Sequence, residues 1–99
     1  MENNQDHLNL LRKIRNKPKS SQRQLAEELG FSLGKLNYCL NALKDKGLIK
    51  IHNFRKNPNK FNYIYVLTPR GIAAKTTLSI NFMKMKIREY DELKKEIEK

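Results

Sequence analysis

Residues with the chemistry to read base edges recur at helical spacing between residues 34 and 41. Asn37 and Asn41 are four positions apart, and each carboxamide can bond in two places to adenine N6 and N7. Lys35 can reach guanine O6 and N7, and Tyr38 can contact a phosphate or a thymine methyl group. Gly34 shares this face, and close approach of the helix backbone to DNA would explain its cost of about 1 kcal/mol relative to alanine. The alternatives are an ordinary solvated face and, for Gly34, tolerance near a helix start.

A second group of candidate side chains surrounds the turn-forming run Asn57-Pro58-Asn59. It consists of Arg55, Lys56 and Lys60. Guanidinium and ammonium groups at the tip of a hairpin suit DNA phosphates or the adjacent minor groove. The alternative is that these charges lie on an exposed strand edge and serve only to prevent aggregation through that edge.

The starts of two predicted helices offer further contacts. Ser21, Gln22 and Arg23 open a helix whose free N–H groups can hold a phosphate, although Ser21 can equally act only as a cap. Ser32 caps the following helix and belongs to the same candidate surface.

The charge distribution favours a polyanionic partner. The 99-residue chain has a net charge of +11. No acidic residue lies between Asp45 and Glu89, and that stretch holds ten lysines and arginines. A solubilising surface would normally intersperse both signs, so we predict a nucleic acid as the partner.

Little in the sequence indicates another chemistry. The single cysteine, Cys39, excludes a disulfide framework, fits a reducing cytoplasm, and borders an apolar stripe, which predicts packing rather than redox sensing. His7 and His52 show no metal-ligand spacing with it. No nucleophile–base pair, phosphate loop or carboxylate pair stands out. We therefore expect no enzymatic activity, no metal and no cofactor.

Hydrophobic spacing and capping patterns predict four helices and one β-hairpin. Ser21 and Gln24 form a capping-box pattern, Gly30 ends the short helix that follows, and Thr68-Pro69 opens the last helix. The predicted elements are helices at 6–16, after Ser21, at 33–46 and at 69–99, with strands at 48–54 and 61–67.

The middle of the chain predicts a helix-turn-helix. Ala26, four residues before Gly30, is small enough for two helices to cross closely. The second of these helices has a predicted buried stripe formed by Leu33, Leu36, Leu40 and Leu43. With the basic hairpin behind it, the segment predicts a mainly α (α+β) fold. Residues 1–71 form a winged helix-turn-helix domain, and residues 72–99 form a long C-terminal dimerisation helix.

Three segments resemble the winged helix of MarR-type regulators. They are SQRQLAEELG from Ser21, LKDKGLI from Leu43 and LTPRG from Leu67. More narrowly, SLGKLNYCLNALKDKG, LTPRGIAAK and REYDELKKEIE are similar to the small MarR-like regulators associated with exopolysaccharide gene clusters. The similarity covers about residues 8–98 and implies a bacterial DNA-binding protein. Full MarR proteins carry extra helices that form a ligand pocket and the dimer interface, so a small-molecule effector is doubtful here.

The last helix carries more apolar surface than one small domain needs. Its predicted dimer interface consists of Ile80, Met83, Ile87, Tyr90, Leu93 and Ile97. The stripe leaves parallel and antiparallel pairing open. The alternative is a monomer whose helix folds back, although about 46 Å of helix exceeds what so small a domain can cover.

These patterns together predict sequence-specific binding of double-stranded DNA by a homodimer that controls transcription. Two other functions remain open: an architectural nucleoid protein that coats DNA, and a winged helix used for protein–protein contact. No apolar run is long enough to span a membrane, and the polar, acidic N-terminus does not resemble a signal peptide. We expect a cytoplasmic protein.

Overall fold

The computed structural model describes residues 4–57 and 60–98, with side chains over residues 4–52 and 64–98. Its elements, in chain order, are α1 (Asn4–Asn16), α2 (Gln22–Leu29), α3 (Leu33–Asp45), β1 (Ile49–Asn57), β2 (Lys60–Leu67) and α4 (Pro69–Glu98). The chain is mostly helical with a two-stranded antiparallel sheet, which confirms the predicted fold class. The strands run closer to the hairpin turn than predicted, because the ladder continues past an irregularity after Phe54 as far as a pair between Asn57 and Lys60.

Local hydrogen bonds define both helices of the helix-turn-helix. The Ser21 hydroxyl accepts from the Gln24 N–H at 3.1 Å, and the Gln24 side chain accepts from the Ser21 N–H at 3.1 Å. This confirms the capping box. Gly30 takes the left-handed conformation at φ 71°, so the Phe31 N–H can donate to the Ala26 carbonyl at 2.9 Å. The chain then turns at once into α3.

One hydrophobic core joins the three short helices to the hairpin. Its fully buried side chains are Leu10, Leu11, Ile14, Leu25, Leu36, Leu43, Ile49 and Tyr65. The prediction that Leu33 belongs to the buried stripe is wrong, since this side chain is 48% exposed. Leu33 occupies the first position of α3, and Phe31 in the turn before it is partly buried against the core.

The hairpin is attached to the body at its base. β1 and β2 pair from Ile49 opposite Leu67 outward, and Tyr65 lies opposite Ile51. The Tyr65 N–H donates to the Pro18 carbonyl, so β2 also bonds to the segment between α1 and α2. The Tyr65 ring is fully buried in the core.

Thr68 and Gly71 dock the start of α4 on the junction between α3 and β1. The Thr68 hydroxyl donates to the Gly47 carbonyl at 2.6 Å and accepts from the Gly71 N–H at 3.0 Å. A side chain at Gly71 would overlap the Leu48 carbonyl oxygen. The Thr68 N–H donates to that same carbonyl at 3.0 Å. The first turn of α4 is therefore held directly against the winged-helix body.

Most of α4 extends away from that body. Leu78 is half-buried against the core and α4 packs against α1, but every residue from Met83 to Glu98 is exposed. The described residues measure 66 × 26 × 25 Å, and a 30-residue helix is about 45 Å long. The helix does not fold back onto its own domain.

Candidate nucleic-acid interface

The outer face of α3 presents the residues predicted to read bases. Gly34, Asn37, Tyr38 and Asn41 are all exposed, whereas Leu36 and Leu40 point into the core. Asn37 and Asn41 are one helical turn apart, so both carboxamides project from the same side. A Cβ at Gly34 would meet no atom within 4 Å, so the protein itself does not require glycine there.

The N-terminus of α3 is fixed by its cap. The Ser32 hydroxyl accepts from the Lys35 N–H at 3.1 Å, as predicted for an N-cap. Leu36, Cys39, Leu40 and Leu43 anchor the opposite side of the helix in the core. The exposed face is thus carried by a rigid element, which suits a surface that must match a groove.

Lys35 is already engaged within the protein. Its ammonium lies 2.9 Å from the Asp6 carboxylate of α1 and 4.3 Å from the centre of the Phe31 ring. Its side chain is nevertheless about half exposed. Contact between Lys35 and a guanine would have to compete with this ion pair.

The start of α2 places Arg23 at the surface. Arg23 is exposed, Gln22 is half-buried, and the Ser21 hydroxyl is committed to the capping box. Of the three predicted phosphate contacts here, Arg23 is the one that carries a charge, and it is exposed. The cap role of Ser21 is observed, and its contact with a phosphate stays a prediction.

Glu28 ties α2 to the end of α1. Its carboxylate lies 3.0 Å from the Lys17 ammonium and 3.5 Å from that of Lys13. The hydrogen bond from Lys17 is the main cause of a lowered pKa at Glu28, and the charge of Lys13 acts in the same direction. These contacts help to set the position of the helix-turn-helix relative to α1.

The β1–β2 hairpin forms the wing, and its predicted basic contact residues lie at the end of the hairpin away from the core. Arg55 and Lys56 belong to β1 and Lys60 begins β2, on either side of the turn. Their side chains lie outside the described residues, so their contact with DNA stays a prediction. Sequence reasoning omitted Lys50, which is exposed on β1 next to the buried Ile49. Alternation of buried and exposed positions along the strand was the pattern that could have found it.

Cys39 packs in the core and contributes nothing to this surface. Burial raises the pKa of its thiol, and the charge of Asp6 adds to the effect. The thiol form therefore dominates at neutral pH, which is unfavourable for a redox sensor. Over residues 4–57 and 60–98, no group of three His, Cys, Asp or Glu side chains could hold a metal ion.

A solvent-open groove of about 400 Å³ lies between α1 and α4. Leu8, Leu78, Phe82 and Met85 form its apolar lining, with Arg88 among its polar residues. It is separate from the exposed face of α3.

Known DNA-binding proteins and transcriptional regulators have a similar architecture. Residues 7–50 match the family described as winged helix-turn-helix DNA-binding. The transcriptional regulator PcaV from Streptomyces coelicolor, solved with its natural ligand, superposes with a TM-score of 0.71 at 18% identity. The match covers 81% of this chain and 55% of PcaV. FabT from Streptococcus pneumoniae, solved in complex with DNA, gives a TM-score of 0.64 at 22% identity, over 87% of this chain and 58% of FabT.

A structure described as a MarR family transcription regulator superposes with a TM-score of 0.69 at 23% identity, over 88% of this chain and 56% of its own. The chain therefore has the fold of the MarR regulators. The chain spans a little over half the length of the regulators named above. No curated protein sequence matches it. In the part of the chain that the structure describes, no helix is both long and apolar enough to cross a membrane.

Proposed function

We propose that this protein is a transcription regulator of the MarR type that binds double-stranded DNA sequence-specifically as a cytoplasmic homodimer. The observation that carries the proposal is the exposed face of α3, where Asn37, Tyr38 and Asn41 project from a helix anchored in the core. A helix presented in this way fits the major groove, with its N-terminal half nearest the base edges.

Each part of the interface has a distinct role in this proposal. Asn37 and Asn41 read adenines, because a carboxamide matches the adenine pattern of one donor and one acceptor. Arg23 at the start of α2, together with Arg55, Lys56 and Lys60 of the wing, holds the phosphate backbone or the adjacent minor groove. Lys50, exposed at the base of β1, joins the backbone contacts.

The same proposal assigns α4 to dimerisation. Ile87, Tyr90, Leu93 and Ile97 are all more than half exposed, and large apolar side chains in such a row are costly unless a partner covers them. Two copies related by a twofold axis would read half-sites about 34–36 Å apart, one turn of DNA. The division at residue 71 between a DNA-binding and a dimerisation unit belongs to this proposal.

The genes under control are proposed from sequence resemblance. The similarity to small regulators of exopolysaccharide gene clusters points to polysaccharide genes as targets. Mapping of bound sites across the genome tests this: enrichment upstream of such genes supports it, and enrichment elsewhere refutes it without affecting DNA binding itself.

One titration series tests the central proposal. Binding sites selected from random DNA are titrated against unselected DNA at several salt concentrations. For about six to ten phosphate contacts, log K should fall against log salt with a slope of about −5 to −9. A selected site should bind at least about 1,000-fold more tightly than random DNA. A ratio near one would indicate an architectural protein, and a flat salt response would indicate a protein-binding module.

A further inference from the structure

Five exposed apolar residues of α4 fall on one heptad pattern, whereas Ile72, Met85 and Leu93 are exposed at its sides. Spacings of three and four alternate through Ala73, Thr76, Ile80, Met83, Ile87, Tyr90, Lys94 and Ile97, which we name the outer stripe. The exposed fraction rises along it, from 47% at Ile80 to 65% at Tyr90 and 82% at Ile97. Leu78 and Phe82, which are half-buried, lie on another side of the helix. The outer stripe is thus available to a second helix with the same period.

The charge of α4 changes from basic to mainly acidic after Arg88. The half from Pro69 to Arg88 contains no acidic residue and five basic ones: Arg70, Lys75, Lys84, Lys86 and Arg88. The half from Glu89 to Glu98 contains five acidic residues and two lysines. A second copy lying antiparallel places the acidic half of each helix beside the basic half of the other. This complementarity favours another copy of the same helix as the occupant.

We propose that α4 pairs with α4 of a second copy as an antiparallel coiled coil in one register. Ile87 then packs against the partner's Tyr90, Ile80 against the partner's Ile97, and Met83 against the aliphatic stem of the partner's Lys94. The twofold axis passes between Arg88 and Glu89. This inference rests on the homodimer of the proposed function and specifies its geometry.

Charges beside the outer stripe select this register. Lys84 and Asp91 flank the stripe on the same side, and the register sets each Lys84 beside the partner's Asp91. A shift by one heptad in one direction sets Lys84 against Lys84 and Lys86 against Lys86. A shift in the other direction sets Asp91 against Asp91. Both shifts replace attraction with repulsion beside the outer stripe. The shift that sets Asp91 against Asp91 also shortens the apolar pairing, to Ile87 against the partner's Ile97 and Tyr90 against the partner's Lys94.

Parallel pairing is less favourable for two reasons. It would place Lys94 directly against the partner's Lys94 within the stripe, where two ammonium groups repel and lose water. It would also lay the two acid-free halves side by side. Its compensating contact, between Lys86 and the partner's Asp91, exists only at the edge of the stripe.

Cysteine cross-linking of the full chain tests orientation and register together. In a Cys39→Ser background, the double variant Lys84→Cys/Asp91→Cys is oxidised mildly, and its linked peptides are identified by mass spectrometry. Positions 84 and 91 of one helix are about 10 Å apart, too far for a disulfide within one chain. An intermolecular 84–91 bond is the expected result.

Three single variants report the competing arrangements. Lys84→Cys alone links to itself only in one shifted register, and Asp91→Cys alone only in the other. Lys94→Cys links readily to itself only when the helices are parallel. We expect none of these three products, and efficient formation of any one would overturn the inference.

Charge exchange supplies a second, reversible test by sedimentation equilibrium. Asp91→Lys alone should weaken the dimer roughly three- to tenfold, because two exposed ion pairs become two repulsive contacts. Adding Lys84→Asp should restore the affinity. Rescue instead by Lys86→Asp would show parallel pairing and overturn the inference, while leaving dimeric DNA binding intact. A wild-type chain that is monomeric at tens of micromolar would contradict the proposed homodimer. The DNA titrations would then test DNA binding separately.

Discussion

The ammonium of Lys35 lies 2.9 Å from the carboxylate of Asp6, so the first turn of α3 is joined to the first turn of α1. The Phe31 ring lies under the same ammonium at 4.3 Å. This pair lies next to the face proposed to meet DNA and places a negative charge there. In the proposed complex, DNA would therefore compete with Asp6 for Lys35.

Replacing Asp6 with asparagine should strengthen DNA binding. The substitution removes one negative charge near the proposed interface and releases Lys35, so the salt slope should steepen by up to about one. Folding stability should fall by about 0–1 kcal/mol, since the pair is partly exposed. Fluorescence anisotropy at several salt concentrations measures the effect. Lys35→Gln combined with Asp6→Asn should cancel most of the gain, and an unchanged affinity in Asp6→Asn would show that Lys35 does not contact DNA.

Alanine substitutions of the two asparagines and of the wing residue Arg55 should weaken DNA binding in different ways. Asn37→Ala or Asn41→Ala should cost about 1–3 kcal/mol on the selected site and relax its specificity at one position. Arg55→Ala should weaken binding to every sequence about equally and reduce the salt slope by about one. Competition titrations with selected and random DNA separate the two patterns. Equal losses on both DNAs for Asn37 and Asn41 would rule out base reading by these residues.

Gly34 distinguishes a backbone contact with DNA from simple tolerance. A methyl group at Gly34 meets open space, and alanine favours the helix, so Gly34→Ala should raise the free energy of unfolding by up to about 1 kcal/mol. If the backbone approaches DNA closely, the same variant should bind DNA several-fold more weakly. Urea denaturation and DNA titration of one preparation measure both. A stabilised variant with unchanged DNA affinity would show that the backbone at Gly34 does not approach DNA closely.

The opposite result is expected at Gly71. A Cβ there would overlap the Leu48 carbonyl, which also accepts the Thr68 N–H at 3.0 Å. Gly71→Ala must therefore displace the start of α4, and we expect a loss of about 1–3 kcal/mol, as for other overpacked sites. Thr77→Ser, on an exposed position of the same helix outside the outer stripe, is the control and should change stability little. Thermal unfolding that leaves both variants like wild type would contradict the tight docking of α4.

Local patterns predicted much of the fold, and distant contacts explain what they missed. Ser21, Gln24 and Gly30 act within a few residues of one another, so the capping box and the left-handed helix end could be inferred from spacing alone. Leu33 has the spacing of a core residue, but it is exposed, while Phe31 in the preceding turn packs against the core. Periodicity carries no information about which of these two side chains packs there.

The candidate site divides in the same way. The exposure of Asn37 and Asn41 followed from their position opposite Leu36 and Leu40. The pairing of Lys35 with Asp6 joins residues 29 positions apart, which only the packing of α1 against α3 brings together. The tight contact of Gly71 with Leu48 is likewise invisible in either segment alone.

The last prediction compares two apolar residues on different faces of α4. Ile87 lies in the outer stripe and is 57% exposed, whereas Met85 lies at the groove beside α1 and is 47% exposed. Ile87→Glu should abolish dimerisation, because it places two carboxylates near the twofold axis of an apolar seam. Met85→Glu should leave the dimer intact. Neither residue belongs to the buried core, so both variants should fold, and circular dichroism checks this. Light scattering then gives the mass. Ile87→Glu should be a folded monomer that binds a single half-site but has lost its preference for paired half-sites. If Ile87→Glu remains dimeric while Met85→Glu becomes monomeric, the interface lies along the groove and not on the outer stripe.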